Sequence, residues 1–139
     1  MSNDSSISLV RSDELAGQAP YAYAALTPPG RRLVFTAGAC PLNTAGETVA
    51  PGDIGAQTEQ VMDNLETVLR ASGAELCNVA KTTVYVASER REDLVTAWTV
   101  VRARFGNHDA PRTLLGVAAL GYRDQLVEVE AVASVPDVG

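Results

Sequence analysis

The chain has 139 residues, 46 % of them apolar and 20 % charged, which fits one globular domain over residues 1–139 that can bury a core without metal or disulfide staples. Its 17 Asp and Glu against 11 Lys and Arg give a formal net charge of −6, which argues against a general nucleic-acid binder. One histidine, His108, and two cysteines, Cys40 and Cys77, leave no ligand set for a zinc hydrolase or an iron–sulfur cluster and no disulfide scaffold.

The polar start, Met1-Ser-Asn-Asp-Ser-Ser6, has neither the positive flank nor the apolar run of a signal peptide. No apolar stretch approaches the roughly 20 residues that span a bilayer, so the expectation is a cytoplasmic protein with no membrane partner and with reduced thiols. Ile7 to Arg11 reads as a short strand. Tyr21 to Leu26 and Arg32 to Ala37 flank a Pro28-Pro29-Gly30 turn, which predicts that they pair as an antiparallel hairpin. A loop rich in Pro, Asn, Gly and Thr covers Cys40 to Gly52. Asp53 is placed to cap a helix from Ile54 to Ser72, whose apolar stripe is Ile54, Val61, Leu65, Val68 and Leu69 and whose end is marked by Gly73. Val79 to Val86 is β-branched and aromatic, hence a strand. A second helix runs from Arg91 to Phe105, with Leu94, Trp98, Val101 and Phe105 on one face and Gly106 after it. Thr113 to Ala118 and Gln125 to Ser134 are the last two strands, and Pro136 to Gly139 is expected to fray.

The order β-β-β-α-β-α-β-β is most economically built as an α+β fold, a single mixed sheet with both helices on one face. Along the last strand Val127, Val129 and Ala131 share one side, while Glu128 and Glu130 lie on the other with Leu126 and Val132. Two carboxylates in the middle of a strand face mean that this face is wet or lines a site between subunits.

The chemistry concentrates between Ala110 and Glu130. Pro111 sets up entry into a strand that Arg112 begins, and a guanidinium held at such a junction, beside a strand carrying Glu128, can grip a carboxylate through two parallel hydrogen bonds. The same arginine reads equally as an exposed residue or as a structural partner of Glu128 or Glu130. His108 lies in a polar loop with no nucleophile to serve, Cys40 and Cys77 read as small hydrophobes, and Trp98 and Tyr85 as core or interface residues.

The segment containing Pro111-Arg112 and Val127-Glu-Val-Glu-Ala-Val-Ala133 resembles the signature of the YjgF/YER057c/UK114, or Rid (reactive intermediate deaminase), family. Ala19-Pro-Tyr21 is similar to that family's Gly-Pro-Tyr, and Thr36-Ala-Gly-Ala39 to its Thr-Ser-Gly-Gln. Gln57, Asn64, Leu65 and Gly73 match its first helix, and Val79-Ala-Lys-Thr-Thr-Val-Tyr-Val86 matches its Lys-Thr-Thr-Val strand.

The resemblance implies a chorismate-mutase-like fold assembled as a homotrimer with clefts between subunits. It also implies cofactor-free and metal-free hydrolysis of small 2-imino or 2-enamino acids to 2-oxo acids and ammonia. Arg112 would then bind the substrate carboxylate, Glu128 would hold or activate the attacking water, Tyr21 would line the cleft, and the backbone at Gly38 would approach the substrate. The chain departs from the family pattern at Ala37, Ala39, Leu114 (where a cysteine is usual) and Trp98 (in place of an asparagine), changes that would make the cleft, with Leu114 and Trp98 in its substrate-binding wall, more apolar and suited to a bulkier substrate than iminopropanoate. Two other functions stay open: a non-catalytic trimer that binds a small carboxylate or a partner, and an endoribonuclease, against which the net charge and single histidine weigh.

Overall fold

The computed structural model describes residues 7–137, and the expected fraying at Val138 and Gly139 lies outside them. Its elements are β1 (Ser8–Val10), β2 (Ala24–Leu26), β3 (Arg31–Phe35), α1 (Ile54–Ala71), β4 (Val79–Val86), α2 (Arg91–Phe105), β5 (Arg112–Gly116) and β6 (Val127–Pro136), with a 3-10 turn at Leu76–Asn78. This is the order read from the sequence, though Pro136 still belongs to β6 instead of fraying.

Asp53 caps α1 by accepting a hydrogen bond from the Ala56 amide at 2.9 Å. Gly73, at φ +83°, ends the helix in the left-handed conformation that a side chain disfavours. The stripe that α1 buries is Val61, Met62, Leu65 and Leu69, so Met62 takes the place expected for Val68, which is 42 % exposed. These side chains pack with Val127, Val129, Ala131 and Ala133 of β6 and with Val101 and Phe105 of α2. Arg104 on α2 reaches Glu59, Asp63 and Glu66 on α1 and ties the two helices together at their solvent edge.

The main sheet has four strands in the order β3-β6-β4-β5, antiparallel except for the parallel β4–β5 pair that α2 connects. The expected hairpin across Pro28-Pro29-Gly30 does not form. β2 pairs back onto β1 as a separate two-stranded ribbon, and β3 pairs with β6 instead. Two adjacent prolines remove two ladder donors at the point where a hairpin would close. Arg31 then fixes β3 to the end of β6, donating to the Ser134 carbonyl at 2.9 Å and to its hydroxyl at 3.1 Å.

Both helices cover one face of the four-stranded sheet, where Val127, Val129, Thr82 and Val84 are fully buried. The other face carries Glu128, Glu130, Tyr85 and Thr83 half-buried, with Leu33, Phe35 and Leu115 exposed. Phe35, at the end of the edge strand β3, is 72 % exposed, a large apolar surface to leave open.

The loop between β3 and α1 is pinned by two polar side chains of α1. Gln57, fully buried, donates to the carbonyls of Ala50 and Asp124 and accepts from the Leu126 amide at 2.8 Å. Asn64 donates to the carbonyls of Cys40 and Leu42 at 2.8 and 2.9 Å. Gln57→Ala removes three part-buried hydrogen bonds and a fully buried side chain, so urea unfolding should show a loss of about 2–4 kcal/mol. A loss under about 1 kcal/mol would mean that water replaces the amide there.

Candidate active site

A cavity of about 620 Å³ opens between the start of β5, the outer flank of α2 and the segment preceding β2. Tyr21, Tyr23, Val95, Trp98, Pro111 and Leu114 supply its apolar wall, and Lys81 and Thr113 its polar rim. Two backbone bonds assemble it. The Ala22 amide donates to the Asp109 carbonyl at 2.8 Å and holds Tyr21 against the loop that leads into β5, while the Thr82 amide donates to the Pro111 carbonyl at 3.1 Å and starts the β4–β5 ladder. Tyr21 meets Trp98 edge-on, with ring centroids 6.0 Å apart, and Tyr23 lies edge-on to Tyr21 at 5.6 Å.

Arg112 forms the base of this cavity. It is only 5 % exposed, yet its Nε, Nη1 and Nη2 have no hydrogen-bond partner, and among the described residues these are the buried side-chain nitrogens and oxygens left unsatisfied. The guanidinium lies over the rings of Phe105 and Trp98, 4.6 and 5.2 Å from their centroids. Aromatic faces attract a cation but accept none of its five N–H bonds. Burial lowers the Arg112 pKa to about 10, Asp109 works against that shift and Arg102 adds to it. The group therefore remains charged at neutral pH, buried and unpaired, a combination that native structures rarely tolerate without function. A planar anion entering from the cavity would satisfy it, and a carboxylate has the geometry of the guanidinium fork.

Glu128 stands elsewhere. The sequence placed it on a strand beside Arg112, but β4 lies between β5 and β6. Arg112 is in register with Thr82, which faces the helices, whereas Glu128 is in register with Tyr85, which faces away. Side chains alternate faces along a strand, so Arg112 and Glu128 project from opposite sides of the sheet. The reading of Arg112 as a structural partner of Glu128 or Glu130 is thereby removed, and no salt bridge joins it to either.

On its own face Glu128 accepts from Gln125 at 3.2 Å and from the Cys40 thiol at 3.6 Å. Gly38 lies directly beneath it, because the bonds between Ala39 and Val129, 2.7 and 3.1 Å long, lay that segment along β6. A Cβ at position 38 would collide with the Glu128 carboxylate, so any larger residue there would move that side chain from its present place. Burial, and secondarily Glu128, raises the Cys40 thiol pKa, which keeps it a poor nucleophile. Cys40 and Cys77 are half-buried, not core residues, and His108 holds the start of β4 through the Val79 carbonyl at 2.7 Å.

The structure thus brings together Arg112, Tyr21, Trp98 and Leu114, and separately Glu128 and Gly38. It adds Tyr23, Val95 and Lys81 to the first group, which the sequence did not single out for it. The available signal was Val95 at i−3 from Trp98, a second apolar flank on α2 away from its core stripe. Among the described residues no helix is long and apolar enough to cross a membrane.

Residues 12–135 match the family described as Endoribonuclease L-PSP. A RutC family protein of Pyrococcus horikoshii is 34 % identical over 101 residues, covering 73 % of this chain and 78 % of its own. The 2-iminobutanoate/2-iminopropanoate deaminase of Escherichia coli K12 is 33 % identical over 104 residues, covering 73 % of this chain and 78 % of its own. The crystal structure of YyfB, a protein of the conserved Rid family from Yersinia pestis, superposes with a TM-score of 0.86 at 28 % identity, over 94 % of this chain and 99 % of that one. An arginine-based cavity on a sheet with two helices on one face, in a sequence with these relatives, makes the chain a member of the Endoribonuclease L-PSP family, the YjgF/YER057c/UK114 or Rid family.

Proposed function

We propose that the protein is a hydrolytic deaminase of reactive 2-imino and 2-enamino acids, working in the cytoplasm as a homotrimer without metal or cofactor. The observation that carries this reading is Arg112, a buried cation with three unpaired nitrogens at the base of a cavity. Its fork binds the substrate carboxylate and fixes the neighbouring C=N carbon over the apolar wall. A water oxygen then bonds to that carbon, the nitrogen takes up a proton, and the C–N bond breaks. The products are the 2-oxo acid and ammonia.

Glu128 is the group proposed to hold and deprotonate the water. It lies on the uncovered sheet face of the same chain, so the trimer supplies the missing geometry: the Gly38–Glu128 face of one copy closes the Arg112 cavity of the next. The exposed Leu33, Phe35 and Leu115 on that face support burial against another copy.

The test is to generate imino acids in situ with an amino-acid oxidase and to time 2-oxo acid and ammonia release. Absence of acceleration with every imino acid sinks the deaminase and leaves a carboxylate-binding protein. Gly38→Ala is expected to push the Glu128 carboxylate aside and lower turnover at least about tenfold with little change in unfolding temperature. Full activity in that variant would show that the position of Glu128 does not matter to the reaction.

A further inference from the structure

The walls around Arg112 say more about the substrate than its carboxylate does. Tyr23, Tyr21 and Trp98 form a continuous edge-to-face aromatic wall, and Leu114 and Pro111 continue the apolar lining at the start of β5. Val95 adds an apolar group that is 54 % exposed at the rim, on a helix whose Leu94, Ala97 and Val101 already serve the core. A three-carbon imino acid held on Arg112 presents only a methyl group to this wall.

We infer that the cavity selects 2-imino acids bearing a large apolar side chain, aromatic or branched, over those bearing methyl or ethyl. The inference rests on the deaminase reading and deepens it. With the carboxylate held on Arg112, C2 sits next to the guanidinium and the side chain runs outward along Tyr21, Trp98 and Val95. An aryl group there meets ring edges and faces in the geometry that aromatic pairs prefer. Pocket discrimination by apolar contact amounts to roughly tenfold or more for a methylene-sized difference, so a phenyl or isobutyl group in place of methyl has ample room to show a preference.

The experiment compares kcat/KM for the imino acids that D-amino-acid oxidase releases from D-alanine, D-leucine and D-phenylalanine. It also compares the affinities of two product-type probes, pyruvate and phenylpyruvate, by calorimetry. At least a fivefold advantage for the phenyl compound over the methyl one is expected in both measurements. Leu114→Ser and Val95→Ser are expected to bring the ratio toward one. A ratio below five with the methyl substrate still turned over overturns the inference and leaves the deaminase standing. No turnover of any imino acid overturns the deaminase reading, and the inference with it. A ratio unmoved in both serine variants places the apolar subsite elsewhere and overturns it as well.

Discussion

Arg112→Met is expected to lower kcat/KM by about 10²–10⁴, because two charge-assisted hydrogen bonds to the substrate carboxylate are lost at about 1.5–3 kcal/mol each. The same substitution is expected to raise the stability of the free protein. Arg112 is charged in the folded and unfolded chain alike at neutral pH, yet in the fold it is buried without a partner. That penalty is on the order of a few kcal/mol and is offset only in part by its contacts with Phe105 and Trp98, at about 0.5–2 kcal/mol each. Methionine keeps most of the apolar stem and drops the charge. A gain of about 1 kcal/mol corresponds to an unfolding temperature roughly 3 °C higher. Saturating phenylpyruvate should stabilise the wild type and leave the variant unmoved, since only a ligand of the native state shifts the equilibrium. Unchanged turnover would place the carboxylate grip elsewhere, and a marked fall in unfolding temperature would make Arg112 structural. With its pKa at about 10, the guanidinium stays charged below that pH, so carboxylate affinity should be flat through neutrality and decline above pH 10.

Glu128→Gln should cost about 10²–10⁴ in turnover if Glu128 is the base. Its decisive use is in combination. Arg112→Met and Glu128→Gln, each inactive alone, are unfolded together, mixed in equal amounts and refolded. If each cleft takes Arg112 from one copy and Glu128 from the next, about a quarter of the clefts in random trimers contain both native residues, and activity returns to about that fraction. If a single chain supplies both residues, no mixture recovers activity. The opposite-face register of Thr82–Arg112 and Tyr85–Glu128 predicts recovery.

The comparison of sequence and structure divides along a physical line. Local periodicity carried the elements: the Asp53 cap, Gly73 at the helix end, and the alternation of Val127 and Val129 with Glu128 and Glu130 stand as read, and so do Val61, Leu65 and Leu69 of the α1 stripe, though not Val68. Partner choice was not local. The Pro28-Pro29-Gly30 turn signals that the chain reverses, but which strands then pair depends on the prolines' missing donors and on Ser134, about a hundred residues away. Likewise Arg112 and Glu128 are 16 positions apart in sequence, and nothing in the intervening residues says that β4 will lie between their strands. The cavity itself was partly legible, through Arg112 after Pro111 and through Tyr21, Trp98 and Leu114. Gln57, four residues before Val61 and eight before Leu65, lies on the core-facing stripe, where a polar side chain must have hydrogen-bond partners.

In the proposed homotrimer the face that bears Phe35, Leu33 and Leu115 would also set when the protein can work. A newly synthesised chain leaves the ribosome with an apolar sheet surface and, under the proposed intersubunit reading, only half of a cleft. Under that reading it would be inactive until it meets other copies, and it would also be the species most prone to sticking to other chains. Activity per chain should therefore fall on dilution and rise steeply with expression, so the cell would obtain disproportionately more deaminase from a modest increase in synthesis.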